Sequence, residues 1–213
     1  MPHAGKPLKI WKHRRVGKKS EEFKNLQQRI EATCSRPIMI ESILRVENVA
    51  LFQSFEIQRK SFMLKFGVSD ANVIEVFHGT KNQNVDSISA DGFNKSYGWS
   101  GTLGRAIYGA LHFDTAIKYT EADQSGKRSI FVCRAVAGRP AVVSGKVTLY
   151  APPYIDEDKL LRFTCVKDAR MNPKAYAFYE EKQVTVILEY ISLVKSVAQM
   201  ELFNFFISQL SVY

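Results

Sequence analysis

Phe23, Leu26 and Ile30 recur at intervals of three and four behind Ser20-Glu21-Glu22, so the spacing predicts a helix over 20–33, with a serine cap and acids in its first turn. After Pro37 the pattern changes to a β-branched run from Ile38 to Val46, which reads as a strand. A second helix is expected from Asn48 to Phe62, with Leu51, Phe55 and Phe62 on one face. Ile74 to Phe77 is a short apolar strand, and Asn84 to Ala90 a helix that turns Val85 and Ile88 inward and stops at Gly92. Asp114 is expected to cap a helix carrying Ala116, Ile117 and Tyr119. Strand patterns follow over Ser129–Val136, Ala141–Leu149, Tyr176–Tyr179 and Gln183–Ile191, with Pro152-Pro153 and Asn172-Pro173 marking loops. Over 193–213, Leu193, Val197, Met200, Phe203, Ile207 and Leu210 form an apolar stripe, so an amphipathic helix is expected. Lys195, Glu201 and Asn204 interrupt it too often for a membrane span. Packing on the domain and contact with a partner helix are the two roles open to it.

Helices early and strands late imply an α+β class with a largely antiparallel sheet. The chain has 213 residues, 46% of them hydrophobic, enough for one sizeable core and too few for two comfortable domains. Its net charge of +9 suggests a nucleic-acid or membrane partner until the charge is located. Residues 1–20 hold seven Lys/Arg and no acid, and subtracting those seven from +9 leaves only +2 for everything else. The basicity belongs to a leader, residues 1–19, which has no apolar stripe and is expected to be disordered by itself. A solvated leader is the plain reading, with a nuclear address or a weak phosphate-binding arm as alternatives. The leader has no signal-peptide core, and an intracellular protein of the nucleus or cytoplasm is expected. Cys34, Cys133 and Cys165 are odd in number and far apart, which fits neither a disulfide framework nor a zinc motif. Reduced thiols and no metal are therefore expected, with Cys133, inside Ile130-Phe131-Val132-Cys133-Arg134, a buried hydrophobe.

The chemistry is concentrated in Val76-Phe77-His78-Gly79-Thr80, Gly104-Arg105-Ala106-Ile107-Tyr108 and Tyr119. A strand ending in His78-Gly79-Thr80 sets an imidazole beside a backbone that a flat ligand can approach, because no Cβ stands in the way. Tyr108 and Tyr119, eleven positions apart, supply an aromatic wall and a stacking face. The plainer alternatives are a satisfied histidine at a strand end and two core aromatics. The GxGxxG fingerprint is absent, so NAD+ bound here would be split rather than used for hydride transfer.

From about Glu21 to Ile191 the chain resembles the catalytic domain of the poly(ADP-ribose) polymerase (PARP) family of ADP-ribosyltransferases. Ile43-Leu44-Arg45-Val46-Glu47-Asn48-Val49-Ala50-Leu51-Phe52 is similar to the family's first strand and helix, His78-Gly79-Thr80 to its His-Gly-Ser/Thr, and Asp91-Gly92-Phe93-Asn94 to the turn that follows. Gly104-Arg105-Ala106-Ile107-Tyr108 resembles its Gly-Lys-Gly-Ile-Tyr, and Phe131–Arg134 and Gln183–Ile191 its central and closing strands. The nearest likeness is to the mono-transferring branch, including its antiviral zinc-finger relatives, through Cys165-Val166-Lys167-Asp168-Ala169-Arg170-Met171-Asn172-Pro173. The resemblance implies an ADP-ribosyltransferase-like fold over residues 20–192, a mostly antiparallel split sheet with flanking helices, resembling a bare catalytic domain. It also implies NAD+ as substrate, with release of nicotinamide and mono-ADP-ribosylation of a protein or nucleic-acid acceptor.

By the same resemblance, His78 hydrogen-bonds the adenosine-side ribose and Gly79 offers its backbone N–H and C=O to the nicotinamide carboxamide. Tyr119 stacks on the ring, Tyr108 forms the opposite wall and holds the second ribose, and Thr80 and Asn84 stand on the adenosine side. Two departures bear on catalysis. Ala175 occupies the position of the glutamate that chain-elongating members carry, which argues against polymer extension. Ala116 stands where the family usually has a serine for the carboxamide, and Thr115 is beside it. These losses keep two other readings open: a PARP-like interaction module without catalysis, and an RNA-binding domain that uses the basic leader.

Overall fold

The computed structural model describes residues 11–97, 100–169 and 171–193. In chain order these form β1 (Trp11–Arg15), α1 (Glu21–Thr33), β2 (Met39–Asn48), α2 (Val49–Phe66), β3 (Val73–Gly79) and α3 (Val85–Asp91). There follow β4 (Ser100–Gly101), β5 (Gly104–Arg105), β6 (Ile107–Ala110), α4 (Phe113–Ala116), β7 (Lys127–Val136) and β8 (Pro140–Val142). The last elements are β9 (Tyr154–Asp156), β10 (Leu161–Arg162), β11 (Cys165–Lys167), β12 (Ala175–Phe178) and β13 (Val184–Leu193).

Local chemistry sets the helices. The Ser20 side chain accepts from the Phe23 N–H at 3.2 Å and caps α1, and Phe23, Leu26 and Ile30 are the residues it buries. Each such burial contributes roughly 1.5–3 kcal/mol. Asn48 closes β2 and caps α2 at once, since its Oδ1 accepts from Leu51 N while its amide donates to the Ser89 and Ala90 carbonyls at the end of α3. Phe55 and Phe62 of α2 are buried as the periodicity predicts, against Ala71 and Val136.

A nine-stranded sheet in the order β1-β2-β13-β7-β3-β6-β12-β11-β8 forms the frame. Its pairs are antiparallel except β8 with β11. β7 is buried on both faces: Phe131, Cys133 and Ala135 enter the core shared with Val85 and Ile88 of α3, and Ile130 and Val132 the core beneath α1 and Phe113. Between β3 and β6 the pairing narrows to one pair, Phe77 with Ala110, which divides the sheet into a five-strand and a four-strand part.

Three expectations are corrected. The leader expected to be disordered over 1–19 supplies β1 from Trp11 to Arg15, paired antiparallel with β2. Its cations find anions there: Lys12 Nζ and Arg14 Nε lie 3.1 and 3.0 Å from the Glu47 carboxylate. The strand expected over Ala141–Leu149 reduces to Pro140–Val142, because the chain then leaves the sheet edge and bonds another loop, Val147 N to Thr102 O at 2.8 Å and Leu149 O from Arg105 N at 2.9 Å. Asp114 does not cap its helix; His112 precedes α4, and the Asp114 carboxylate turns away to accept from Ser35 N at 2.7 Å and Cys34 Sγ at 3.1 Å. The helix expected over 193–213 lies outside the described residues, apart from Leu193, which ends β13. Among the described residues, no helix is long and apolar enough to cross a membrane.

Candidate active site

The narrowing of the sheet makes the site. β3 stays paired with β7 as far as Gly79 opposite Ile130, and β6 stays paired with β12 at Tyr108 opposite Ala177. Past the Phe77–Ala110 pair the two strands no longer bond to each other, and a crevice opens with His78 and Gly79 on one wall and Tyr108 on the other. One hydrogen bond still spans it: His78 Nδ1 lies 2.8 Å from the Tyr108 carbonyl oxygen.

That contact fixes the imidazole. A carbonyl can only accept, so Nδ1 carries the hydrogen. Burial holds the ring below the usual histidine range, and the bond to Tyr108 offsets this only in part. In the neutral ring Nε2 is therefore left as an acceptor. The edge of Phe93 packs against the ring, 4.7 Å between centroids at 69°. Sequence reasoning placed Phe93 in a turn and missed this contact; an aromatic just past the stop of a short helix was the available signal.

α4 and the 3-10 turn after it, Ile117–Tyr119, bring the remaining candidates alongside. A Cβ added to Gly79 would stand 1.9 Å from the Ala116 carbonyl oxygen, so β3 and α4 approach at a distance that only glycine allows. Ala116 is buried, and its methyl offers no hydroxyl to a ligand. Tyr119 is 68% exposed and near enough to Tyr108 to disfavour ionisation of its phenol, which burial already pushes up. A face of Tyr119 is thus open for stacking.

Tyr108 is more engaged than its sequence role suggests. Its hydroxyl donates to Gly104 O at 2.7 Å and accepts from Leu103 N at 2.9 Å, which leaves one lone pair for a ribose hydroxyl. Thr80 and Asn84 meet each other, Asn84 Nδ2 lying 3.2 Å from Thr80 Oγ1, immediately beyond Gly79. Ala175 opens β12 opposite Ala110, which is itself opposite Phe77. Two strand spacings, about 10 Å, separate Ala175 from Phe77 across the same row.

His78, Gly79, Tyr108, Ala116 and Tyr119 are thus brought to one crevice, with Thr80 and Asn84 at one end and Ala175 across β6. The thiols stand apart from it chemically. Burial pushes Cys34 up to about 11, Cys165 up to about 12 and Cys133 higher still, so none is a ready nucleophile. No group of His, Cys, Asp and Glu able to hold a metal ion occurs among the described residues. An open groove of about 660 Å³ lies between α1, the start of α2 and the sheet, away from this chemistry, and is lined by Arg29, Arg45, Arg134, Glu22, Glu47 and Glu75 among others. Arg29 and Arg45 are ion-paired there with Glu75 and Glu22.

Comparison with known proteins places the sequence in a family. The profile of the Poly(ADP-ribose) polymerase catalytic domain matches residues 20–195. The protein mono-ADP-ribosyltransferase PARP14 of Homo sapiens is 27% identical over 136 residues, 62% of this chain and 7% of that protein. The protein mono-ADP-ribosyltransferase PARP10 of Mus musculus is 26% identical over 171 residues, 77% of this chain and 18% of that protein. A probable poly [ADP-ribose] polymerase of Dictyostelium discoideum is 30% identical over 133 residues, 60% of this chain and 40% of that protein. The chain spans less than half the length of each of these relatives.

Proposed function

The chain belongs to the poly(ADP-ribose) polymerase catalytic-domain family, and from that premise we propose that it transfers a single ADP-ribosyl unit from NAD+ to a protein or nucleic-acid acceptor, releasing nicotinamide. The observation that carries this reading is the single-pair junction of β3 and β6, which sets His78, Gly79, Tyr108 and Tyr119 around one crevice.

Each residue then has a task set by its chemistry. Tyr119 stacks its exposed ring on nicotinamide, and the backbone of Gly79 pairs with the carboxamide. Nε2 of His78 accepts from a ribose hydroxyl, and Thr80 and Asn84 meet the adenosine side. Tyr108 walls the ring and gives its remaining lone pair to the second ribose. Cleavage of the N-glycosidic bond passes through an oxocarbenium-like state with positive charge on the sugar. Ala175 puts no carboxylate beside that charge or beside the 2′-hydroxyl on which a chain would grow, which favours one transfer over polymerisation. The names of the PARP14 and PARP10 relatives support mono-transfer, and the Cys165–Pro173 loop supports a place near the antiviral zinc-finger relatives. Unpaired thiols support an intracellular location, nucleus or cytoplasm.

A second reading is favoured by Ala116 and Ala175 together: a PARP-like module that binds NAD+ or a protein without catalysis. RNA binding through the leader is weakened, because Glu47 already engages Lys12 and Arg14. Purified protein incubated with labelled NAD+ and cell extract separates the readings. Transfer predicts label on a macromolecule, whereas micromolar NAD+ binding by calorimetry with no label on any acceptor selects the module. No binding of NAD+ at all overturns transfer and selects a module whose ligand is a protein.

A further inference from the structure

Tyr179 follows the end of β12, is 1% exposed, and touches neither crevice wall directly in any bond described above. Its phenol nevertheless bonds the same stretch of backbone, Leu103-Gly104, that the Tyr108 hydroxyl engages. The Tyr179 hydroxyl donates to the Leu103 carbonyl. The Leu103 N–H donates to the Tyr108 hydroxyl at 2.9 Å, and that hydroxyl donates to the Gly104 carbonyl at 2.7 Å. Each phenolic hydrogen has one destination, so the two tyrosines hold three successive peptide groups around Leu103 and Gly104.

The surroundings make this stretch of backbone a mechanical support. Leu103 is 2% exposed and packs with Ala106, Val166, Ala177 and Tyr179, with Tyr108 against the same cluster. Gly104 is backed by Leu149: a Cβ there would stand 2.1 Å from the Leu149 carbonyl oxygen, and Gly104 has a φ of +95°. Tyr179 is itself held, since Lys95 Nζ donates to its carbonyl at 3.0 Å while Glu181 accepts from Lys95 N at 3.0 Å.

We propose that Tyr179 is a positioning residue that sets the placement of the Tyr108 ring, and so the width of the nicotinamide side of the crevice, by holding the Leu103 carbonyl. This rests on the reading of the crevice as an NAD+ site. Because the support reaches only the Tyr108 wall, removing it acts on the ligand half that this wall meets. The adenosine half, at Thr80 and Asn84, lies on the β3 side and is unaffected.

The test is Tyr179→Phe, which keeps the packed ring and removes the hydroxyl, with calorimetry of NAD+ and of ADP, the latter lacking both nicotinamide and the second ribose. The expected result is NAD+ binding weaker by about three- to tenfold, the scale of one hydrogen bond, with ADP affinity unchanged. Equal affinity for NAD+ in variant and wild type overturns the inference, as does an equal loss for both ligands, which marks a merely structural tyrosine. If the variant does not fold, amide exchange at Leu103 in the wild type decides. NAD+ slowing it more than ADP supports the positioning role, and equal slowing overturns it. Failure of the wild type to bind NAD+ brings down the functional reading itself, a result distinct from either of these.

Discussion

His78 and Tyr108 are joined across the crevice by one bond, Nδ1 to backbone carbonyl at 2.8 Å, where the two strands that carry them have ceased to pair. A side chain thus takes over the job of a sheet ladder at the point where the ladder must open for a ligand. The bond also selects the tautomer with Nε2 as acceptor, so the same contact that closes the fold prepares the ring for a hydroxyl donor.

The first prediction concerns pH. Burial lowers the folded-state pKa of His78 below its ordinary value of 6.5, so near and below that value the unfolded chain binds the proton more readily than the folded one. The stabilisation from keeping His78 neutral is fully present above the unfolded pKa and is lost as pH falls through it towards the folded value. Urea midpoints measured from pH 7.5 down to pH 5 are expected to fall, and His78→Gln to flatten the curve. An identical slope in both proteins would assign the pH dependence to other groups.

Gly79 is the second test. Its missing Cβ is the space that the Ala116 carbonyl occupies, at 1.9 Å from the ideal position. Gly79→Ala must push α4 off β3, which is expected to cost about 1–3 kcal/mol of stability and to abolish measurable NAD+ binding. Thermal unfolding and calorimetry read the two effects separately. A variant that binds as the wild type does would show that the backbone at Gly79 is not part of the ligand site.

The elements legible in the sequence were those whose periodicity and burial agree. Phe23, Leu26 and Ile30 announced α1, and the continuous run Ile130–Cys133 announced a central strand buried on both sides. His78, Gly79, Tyr108 and Tyr119 were found because a motif joins them, and the fold does bring them together. What stayed hidden depends on partners distant in sequence. Trp11 and the four polar residues from Lys12 to Arg15 look like a leader until Glu47 and the β2 edge are beside them. Tyr179 reads as one more strand aromatic, since nothing in the local pattern reveals that its hydroxyl meets Leu103, 76 positions earlier.

β1 therefore carries a third prediction. Val16, which follows it, is 7% exposed and packs with Phe23 and Ile43. Removing residues 1–16 strips the β2 edge and this side chain, and the loss of Val16 burial alone is worth roughly 1.5–3 kcal/mol. A lower urea midpoint is expected for the shortened protein. Unchanged stability would return the segment to the solvated leader that its composition suggests.

Ala116→Ser supplies the fourth. Ala116 is buried with its carbonyl against Gly79, and one added hydroxyl is smaller than a methylene step in volume. A hydrogen bond to the carboxamide, worth about 1 kcal/mol net, is expected to tighten NAD+ binding roughly fivefold. ADP-ribose, which has no carboxamide, is expected to bind as before. A gain for both ligands would place the new hydroxyl elsewhere in the crevice.

Ala175→Glu tests the register of the whole site. Ala175 lies opposite Ala110 in the row that passes through Phe77, and its backbone is held by Asp168, whose carboxylate accepts from Ala175 N at 3.3 Å. Ala175 is half-buried, so a glutamate there reaches solvent closely enough to ionise, on the strand that pairs with the Tyr108 wall. Its charge would then stand near the cationic sugar of the transition state and within reach of the 2′-hydroxyl. NAD+ hydrolysis measured as nicotinamide release is expected to rise on the order of tenfold or more, and short chains to become detectable on the acceptor. Ala175→Gln, which adds the same bulk without the charge, is expected to leave hydrolysis near the wild-type rate. If glutamate and glutamine behave alike, position 175 does not face the reacting sugar, and the explanation of single transfer through a missing carboxylate fails with it.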